Sequence, residues 1–193
     1  MPKASPAESS DVEIVPYAPA HQDQVVALIL HVQNVEAGIG LTLEEQPDLL
    51  AIDVEYAGTG GGFWVAVTSS GQVVGTIGLL VKAGRDGTPW GVMKKFFVRA
   101  DHRGRAADGG PGVGARLYDT LIAHAREVGL SGVVLDTPAV AARSHAFYTR
   151  AGFRQIAREE LPLDYHYPDR DSRLFRLDLA ILPPNERSKR EHS

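Results

Sequence analysis

Between Val92 and Gly129 the chain reads VMKKFFVRADHRGRAADGGPGVGARLYDTLIAHAREVG. Phe96, Phe97 and Val98 run together up to polar Arg99-Ala100-Asp101, as in a short strand with both faces largely covered. From Gly112 onward Val113, Leu117, Leu121, Ile122, Ala125 and Val128 recur by threes and fours up to Gly129, which predicts one apolar face of a helix. Between them lies a loop with five glycines. A strand, a glycine-rich loop and a helix in that order make an anion site, because the loop amides and the helix N-terminus converge on one point. A phosphate-bearing ligand is therefore expected.

Two familiar phosphate loops are excluded. No Gly-Lys-Ser/Thr follows the glycines, so the lysine and hydroxyl of a Walker A site are missing. Gly110, Gly112 and Gly114 alternate, but the third glycine of GxGxxG would fall at Ala115 or Leu117. The combination of Phe96-Phe97-Val98, His102-Arg103-Gly104-Arg105 and Gly112-Val113-Gly114 instead resembles the acetyl-CoA pyrophosphate loop of the GNAT superfamily of N-acetyltransferases. Further on, Ala146-Phe147-Tyr148-Thr149-Arg150-Ala151-Gly152-Phe153 resembles that superfamily's second signature, an aromatic pair in a helix followed by Gly-Phe. The resemblance runs in element order from Glu13 to Leu179.

The rest of the chain agrees with a globular protein of this kind. Its 193 residues are 44% hydrophobic and 23% charged, enough for a sizeable core in one domain. We assign that domain to residues 11–182, with Met1–Ser10 and Pro183–Ser193 expected to be disordered. A net charge of −4 argues against a general nucleic-acid binder. With no cysteine, disulfides, thiolate metal sites and a cysteine nucleophile are excluded. The opening residues lack an apolar signal core and no run is long enough to span a membrane, so a cytoplasmic location is expected. His21, His31, His102, His124, His145 and His166 show no paired metal spacing, and no metal is expected.

In chain order, strands are expected at Val12–Tyr17, Phe63–Thr68, Gln72–Val81, Val92–Val98, Gly132–Leu135 and Arg173–Leu179. Helices are expected at Ala20–Ala37, at Pro47–Tyr56, from Gly112 to Gly129, and from Thr137-Pro138 to Ala151. Ser69-Ser70-Gly71 reads as a hairpin turn. The order βααβββαβαββ implied by the resemblance is an α/β (α+β) fold, a central twisted mixed sheet flanked by helices.

Several site residues follow. Arg103, Gly104 and Arg105, with the amides of Gly112, Val113 and Gly114, would supply donors and positive charge to a pyrophosphate. The family's loop is here interrupted by Ala106–Pro111, an apparent six-residue insertion that carries Asp108. By the resemblance, the main chain of Phe96, Phe97 and Val98 would pair with the pantetheine arm as an added strand. Tyr148, one turn from Ser144 and near Ala141 and His145, matches the family's general acid for the CoA sulfur. Ser144 joins the cofactor contacts, whereas Ala141 stands where many members carry an asparagine.

The strand before the loop has no carboxylate where many members place a base, leaving Asp136, Glu44, Glu45 or water. The segment Leu161–Arg170 either walls the acceptor pocket or connects strands. These readings imply an acetyl-CoA-dependent N-acetyltransferase working through a ternary complex, with acetyl-CoA as cosubstrate. The acceptor is left open among a small amine, an antibiotic, an amino acid and a protein lysine. A non-catalytic acyl-CoA-binding or regulatory domain and a nucleotide-binding module are the rival readings, and a homodimer is left open.

Overall fold

The computed structural model describes residues 12–167 and 171–179. Seven strands form one mixed sheet: β1 (Val12–Pro16), β2 (Gly62–Thr68), β3 (Val73–Ala83), β4 (Pro89–Val98), β5 (Gly132–Pro138), β6 (Arg154–Ile156) and β7 (Ser172–Asp178). Their order is β1-β2-β3-β4-β5-β7-β6, and every pair is antiparallel except β4 with β5. The expected ends, Met1–Ser10 and Pro183–Ser193, lie outside the described residues.

Pleat alternation sorts the side chains onto two faces. On one, α3 (Val113–Glu127) buries Val113, Leu117, Leu121, Ile122 and Ala125 against Ala66, Leu79, Met93 and Val133. The helix α4 (Ala142–Arg150) adds Tyr148 to that cluster. On the other, α1 (Gln22–Leu30) and α2 (Ile52–Glu55) bury Val25, Ile29 and Ile52 with Phe63 and Val65. The 3.6-residue period expected of α3 holds, with Val128 at its end 41% exposed.

Three expected helices are altered by tertiary demands. The segment Ala20–Ala37 divides into a 3₁₀ turn at Pro19–His21, then α1, then a π turn at His31–Glu36. The wider turn carries Gln33 inward, where its amide pairs with that of Gln46 at 3.0 and 2.8 Å. The segment Pro47–Tyr56 breaks at Ala51, at φ −140° and ψ 42°, into a 3₁₀ turn and the single turn α2. Tyr56 folds back from it to donate to Asp48 at 2.6 Å. Thr137 and Pro138 do not open a helix. They continue β5, paired with Arg173 and Ser172, and α4 starts only at Ala142. The strand between α4 and β7 is β6, three residues long and too short to show an alternation.

The central irregularity is in β4. Its register on β3 shifts between Thr76–Phe97 and Gly78–Lys94, so β4 carries one extra residue there. Lys95 occupies the bulge at φ +54°, a left-handed conformation that a side-chain-bearing residue adopts only when held. The fully buried Thr76 hydroxyl donates to the Lys95 carbonyl at 2.7 Å. Beyond the bulge β4 stays paired to β3 up to Val98 but leaves β5, which it meets only at Gly91–Val133 and Val92–Val134. The sheet forks between its two parallel strands.

Thr76→Val keeps the shape of the side chain and strands the Lys95 carbonyl. Urea unfolding is expected to show a loss of about 1–3 kcal/mol, with most of it regained in Thr76→Ser.

Candidate functional site

The fork leaves the main chain of β4 from Met93 to Val98 without a partner strand on the β5 side. The side chains there are committed to packing. Phe96 meets Phe147 at 5.5 Å and Tyr148 at 6.5 Å between centroids, Val98 joins the α3 side, and Phe97 packs toward α1. What faces the opening is a row of amides and carbonyls, the surface onto which an amide-bearing ligand arm can be added.

At the end of the fork the glycine-rich loop meets α3. Gly112 caps α3 in an extended conformation, so the first-turn amides lack intrahelical acceptors. A cavity of about 370 Å³ lies over them, lined among others by Arg103, Gly104, Arg105, Gly112, Val113 and Arg116. The loop is closed on itself: a Cβ on Gly112 would stand 1.7 Å from the carbonyl oxygen of Gly104. The two ends of the Ala106–Pro111 segment are thereby brought together. Within it Gly109 N–H donates to Ala106 at 2.9 Å, and Asp108 accepts from Gly110 N–H at 2.9 Å. The Ala106–Pro111 segment is a turn with its own hydrogen bonds, and the Asp108 carboxylate is held in that turn at the rim of the cavity.

The basic residues of the loop are not equivalent. Arg103 donates through Nε to the Val98 carbonyl at 2.6 Å and pairs with Glu36. It ties the loop to the π turn while lining the cavity. Arg105 is exposed on the cavity. Arg116, which the sequence reading passed over, lines the same cavity while donating to the Val12 carbonyl at 2.7 Å. Its signal was its place four residues after Gly112, in the first turn of α3.

Tyr148 sits at the fork on the α3–α4 side, 6% exposed, among Phe96, Phe147, Phe153 and Phe175. Burial, and then the negative charge of Asp136, push its hydroxyl pKa well up, so the phenol keeps its proton at neutral pH. Ser144 is half-buried one turn earlier. His145 donates to the Pro138 carbonyl at 3.1 Å and lies 5.6 Å from the Phe175 ring. Burial lowers its pKa, which keeps it neutral. Ala141 is the N-cap of α4 and makes no side-chain cap bond.

The carboxylate candidates separate. Glu44 and Glu45 are exposed, and Glu45 accepts from the Thr42 amide at 2.9 Å in a local cap. Asp136 stands at the fork on the face opposite Leu135. Burial raises its pKa, opposed by the charge of Lys94 and by a hydrogen bond from the Tyr165 hydroxyl at 3.3 Å. Tyr165, from the segment expected either to wall a pocket or to connect strands, therefore reaches the fork. Lys95 stands at the bulge in β4. Its ammonium donates to Gln46 at 2.7 Å and pairs with Asp48 at 3.4 Å, and burial lowers its pKa.

Among the described residues no group of three or more His, Asp or Glu side chains is placed to hold a metal, and no helix is long and apolar enough to cross a membrane.

Comparison with known proteins agrees with this geometry. The chain is similar to probable N-acetyltransferase family 8 member 5 of Mus musculus, 33% identical over 114 residues, which cover 58% of this chain and 47% of that one. The chain spans about half the length of the curated relatives it matches. An acetyltransferase structure from Streptococcus agalactiae is 38% identical with a TM-score of 0.77, over 86% of this chain and 98% of that one. The fold is shared by a GNAT family N-acetyltransferase from Escherichia coli solved in complex with CoA, 21% identical with a TM-score of 0.60, over 92% of this chain and 85% of that one. The family model described as acetyltransferase (GNAT) matches residues 31–153, from the π turn through the fork, the loop and α4, and the chain belongs to that family.

Proposed function

We propose that the protein transfers the acetyl group of acetyl-CoA to a primary amine in a ternary complex. The observation that carries this reading is the fork itself, with unpaired β4 main chain ending at a basic, amide-lined cavity at the start of α3. That cavity suits a pyrophosphate, and the open strand edge suits the amides of a pantetheine arm. The Gly104–Gly112 contact leaves no room for a side chain and closes the loop on itself beside the start of α3. The Escherichia coli relative in complex with CoA supports the same use of the fold. A cytoplasmic location belongs to the same proposal.

In this reading Tyr148 and Asp136 serve the two sides of the reacting carbon. An ammonium acceptor gives one proton to Asp136, which passes it to solvent. The neutral amine attacks the thioester carbonyl, the C–N bond forms and the C–S bond breaks. Tyr148 gives its proton to the departing sulfur, and the second proton lost by the nitrogen restores the phenol. An amide N–H of the Phe96–Val98 strand polarises the carbonyl oxygen. The raised Tyr148 pKa favours a phenol that stays protonated until a thiolate develops beside it. The presence of both groups at the fork favours an enzyme over a non-catalytic acyl-CoA-binding domain.

The test is release of free CoA thiol with a panel of amines. Tyr148→Phe is expected to lower kcat about 10²–10⁴-fold while calorimetric affinity for acetyl-CoA is kept. Equal turnover by the variant would remove Tyr148 from the chemistry.

Asp136 makes a second prediction in which activity and stability move oppositely. The folded state raises its pKa, so the folded protein binds that proton more tightly than the unfolded chain. The ionised carboxylate therefore subtracts stability above the ordinary carboxylate range, and the cost vanishes once both states are protonated. Asp136→Asn is expected to raise Tm at pH 7, to give no gain near about pH 3, and to lower kcat/KM for ammonium acceptors. A lower Tm at pH 7 would contradict the burial argument.

A further inference from the structure

On the face of the fork opposite Tyr148, one half-buried cation is left without a use. Lys94 follows Trp90 and Val92 on that face, and Asp136 follows Val134 on the same face of β5. The last parallel pair is Val92–Val134, so two residues further along each strand Lys94 and Asp136 stand level across the opening. Lys94 is close enough for its charge to pull on the Asp136 carboxyl, yet the two make no ion pair. Lys95, the next cation, is occupied by Asp48 and Gln46. Among the described residues Lys94 has no such carboxylate partner.

A positive and a negative side chain thus face each other across a gap at the place where the strands part. Bulk water screens such groups poorly at a half-buried site, so a ligand that meets both charges gains more than one that meets either alone. An ammonium and a carboxylate separated by one carbon atom fit that arrangement, the ammonium on Asp136 and the carboxylate on Lys94. Tyr165, which donates to Asp136, also lines a cavity of about 390 Å³ together with Lys82, Arg85 and Tyr167. Tyr165 links that cavity to the charged pair, neither member of which lines it.

We propose that the acceptor is a free α-amino acid or an amino-acid-like zwitterion, read at its carboxylate by Lys94 and at its amine by Asp136. The inference rests on the acetyl-transfer reading above and adds the substrate class. Lys94 acts here as a specificity determinant. The bonds made and broken are those already given, with the α-amino nitrogen as the attacking atom.

The experiment compares kcat/KM for the twenty free amino acids, their methyl esters and the corresponding decarboxylated amines, by CoA thiol release. At least one free amino acid is expected to exceed its ester and its decarboxylated amine by about 10–100-fold. In Lys94→Met that ratio is expected to fall toward one, chiefly through KM for the acid, and Lys94→Arg is expected to restore most of it. Calorimetric affinity for acetyl-CoA checks that each variant retains the cofactor site. Esters and decarboxylated amines used as well as the acids, or a ratio indifferent to Lys94→Met, overturns the proposal. Binding of acetyl-CoA with no acetylation of any free amino acid overturns it too, and leaves the acetyl-CoA site standing. Failure to bind acetyl-CoA overturns both readings.

Discussion

One extra residue in β4 decides where everything else can go. The bulge at Lys95 sharpens the local twist, and β4 cannot follow both β3 and β5 past it. It stays with β3, where the Thr76 hydroxyl fixes the Lys95 carbonyl. The parting of β4 from β5 that results exposes strand main chain in the middle of a sheet, where every such group would otherwise be paired. Phe96 and Phe97 pack their half-buried rings on opposite faces, so side-chain contacts hold the edge on both sides although it lacks a neighbouring strand.

The bulge is in turn held by a buried polar network. Lys95 reaches Asp48 and Gln46, Gln46 exchanges two hydrogen bonds with Gln33, and Tyr56 donates to Asp48. Such a network is stable only when every member is satisfied, since loss of one leaves a buried charge or amide without a partner. It explains why the π turn and the broken second helix exist: each turns one polar side chain toward the bulge. Glu36, at the end of the π turn, holds Arg103 of the glycine-rich loop. The walls on the α1 side, the fork and the loop are therefore one connected structure, and a change at Arg103 bears on the π turn as well as on the cavity.

The sequence made the long regular elements legible and left the irregular ones hidden. The three-four spacing from Val113 to Ala125 announced α3, and Gly112 marked its start, because helix packing and capping leave local traces. The bulge left none: a lysine at positive φ has no propensity signal, and the cause lies in Thr76 and Asp48, far away in sequence. The π turn is invisible for the same reason, since Gln33 turns inward to meet Gln46. Thr137-Pro138 looked like a helix start, yet pairing with β7 outweighed the local preference. At the candidate site, the placement of Tyr148 and the glycine loop beside the fork follows from motif and order. Proposing Asp136 ahead of Glu44 and Glu45 as the base rests on which carboxylate is buried at the fork, and burial is not written in the local sequence. Arg116 was missed because it is separated from the loop arginines by Ala106–Pro111 and falls inside a helix.

The central claim is that the forked strands and the closed glycine loop together form an acetyl-CoA site. Calorimetric titration of the protein with acetyl-CoA, beside Gly112→Asp, tests it most directly. That substitution places both a side chain where Gly104 leaves no space and a negative charge at the start of α3. Saturable binding of one acetyl-CoA per chain that the variant abolishes is the predicted result. Absence of binding to the unaltered protein, or undiminished binding to Gly112→Asp, would contradict the account.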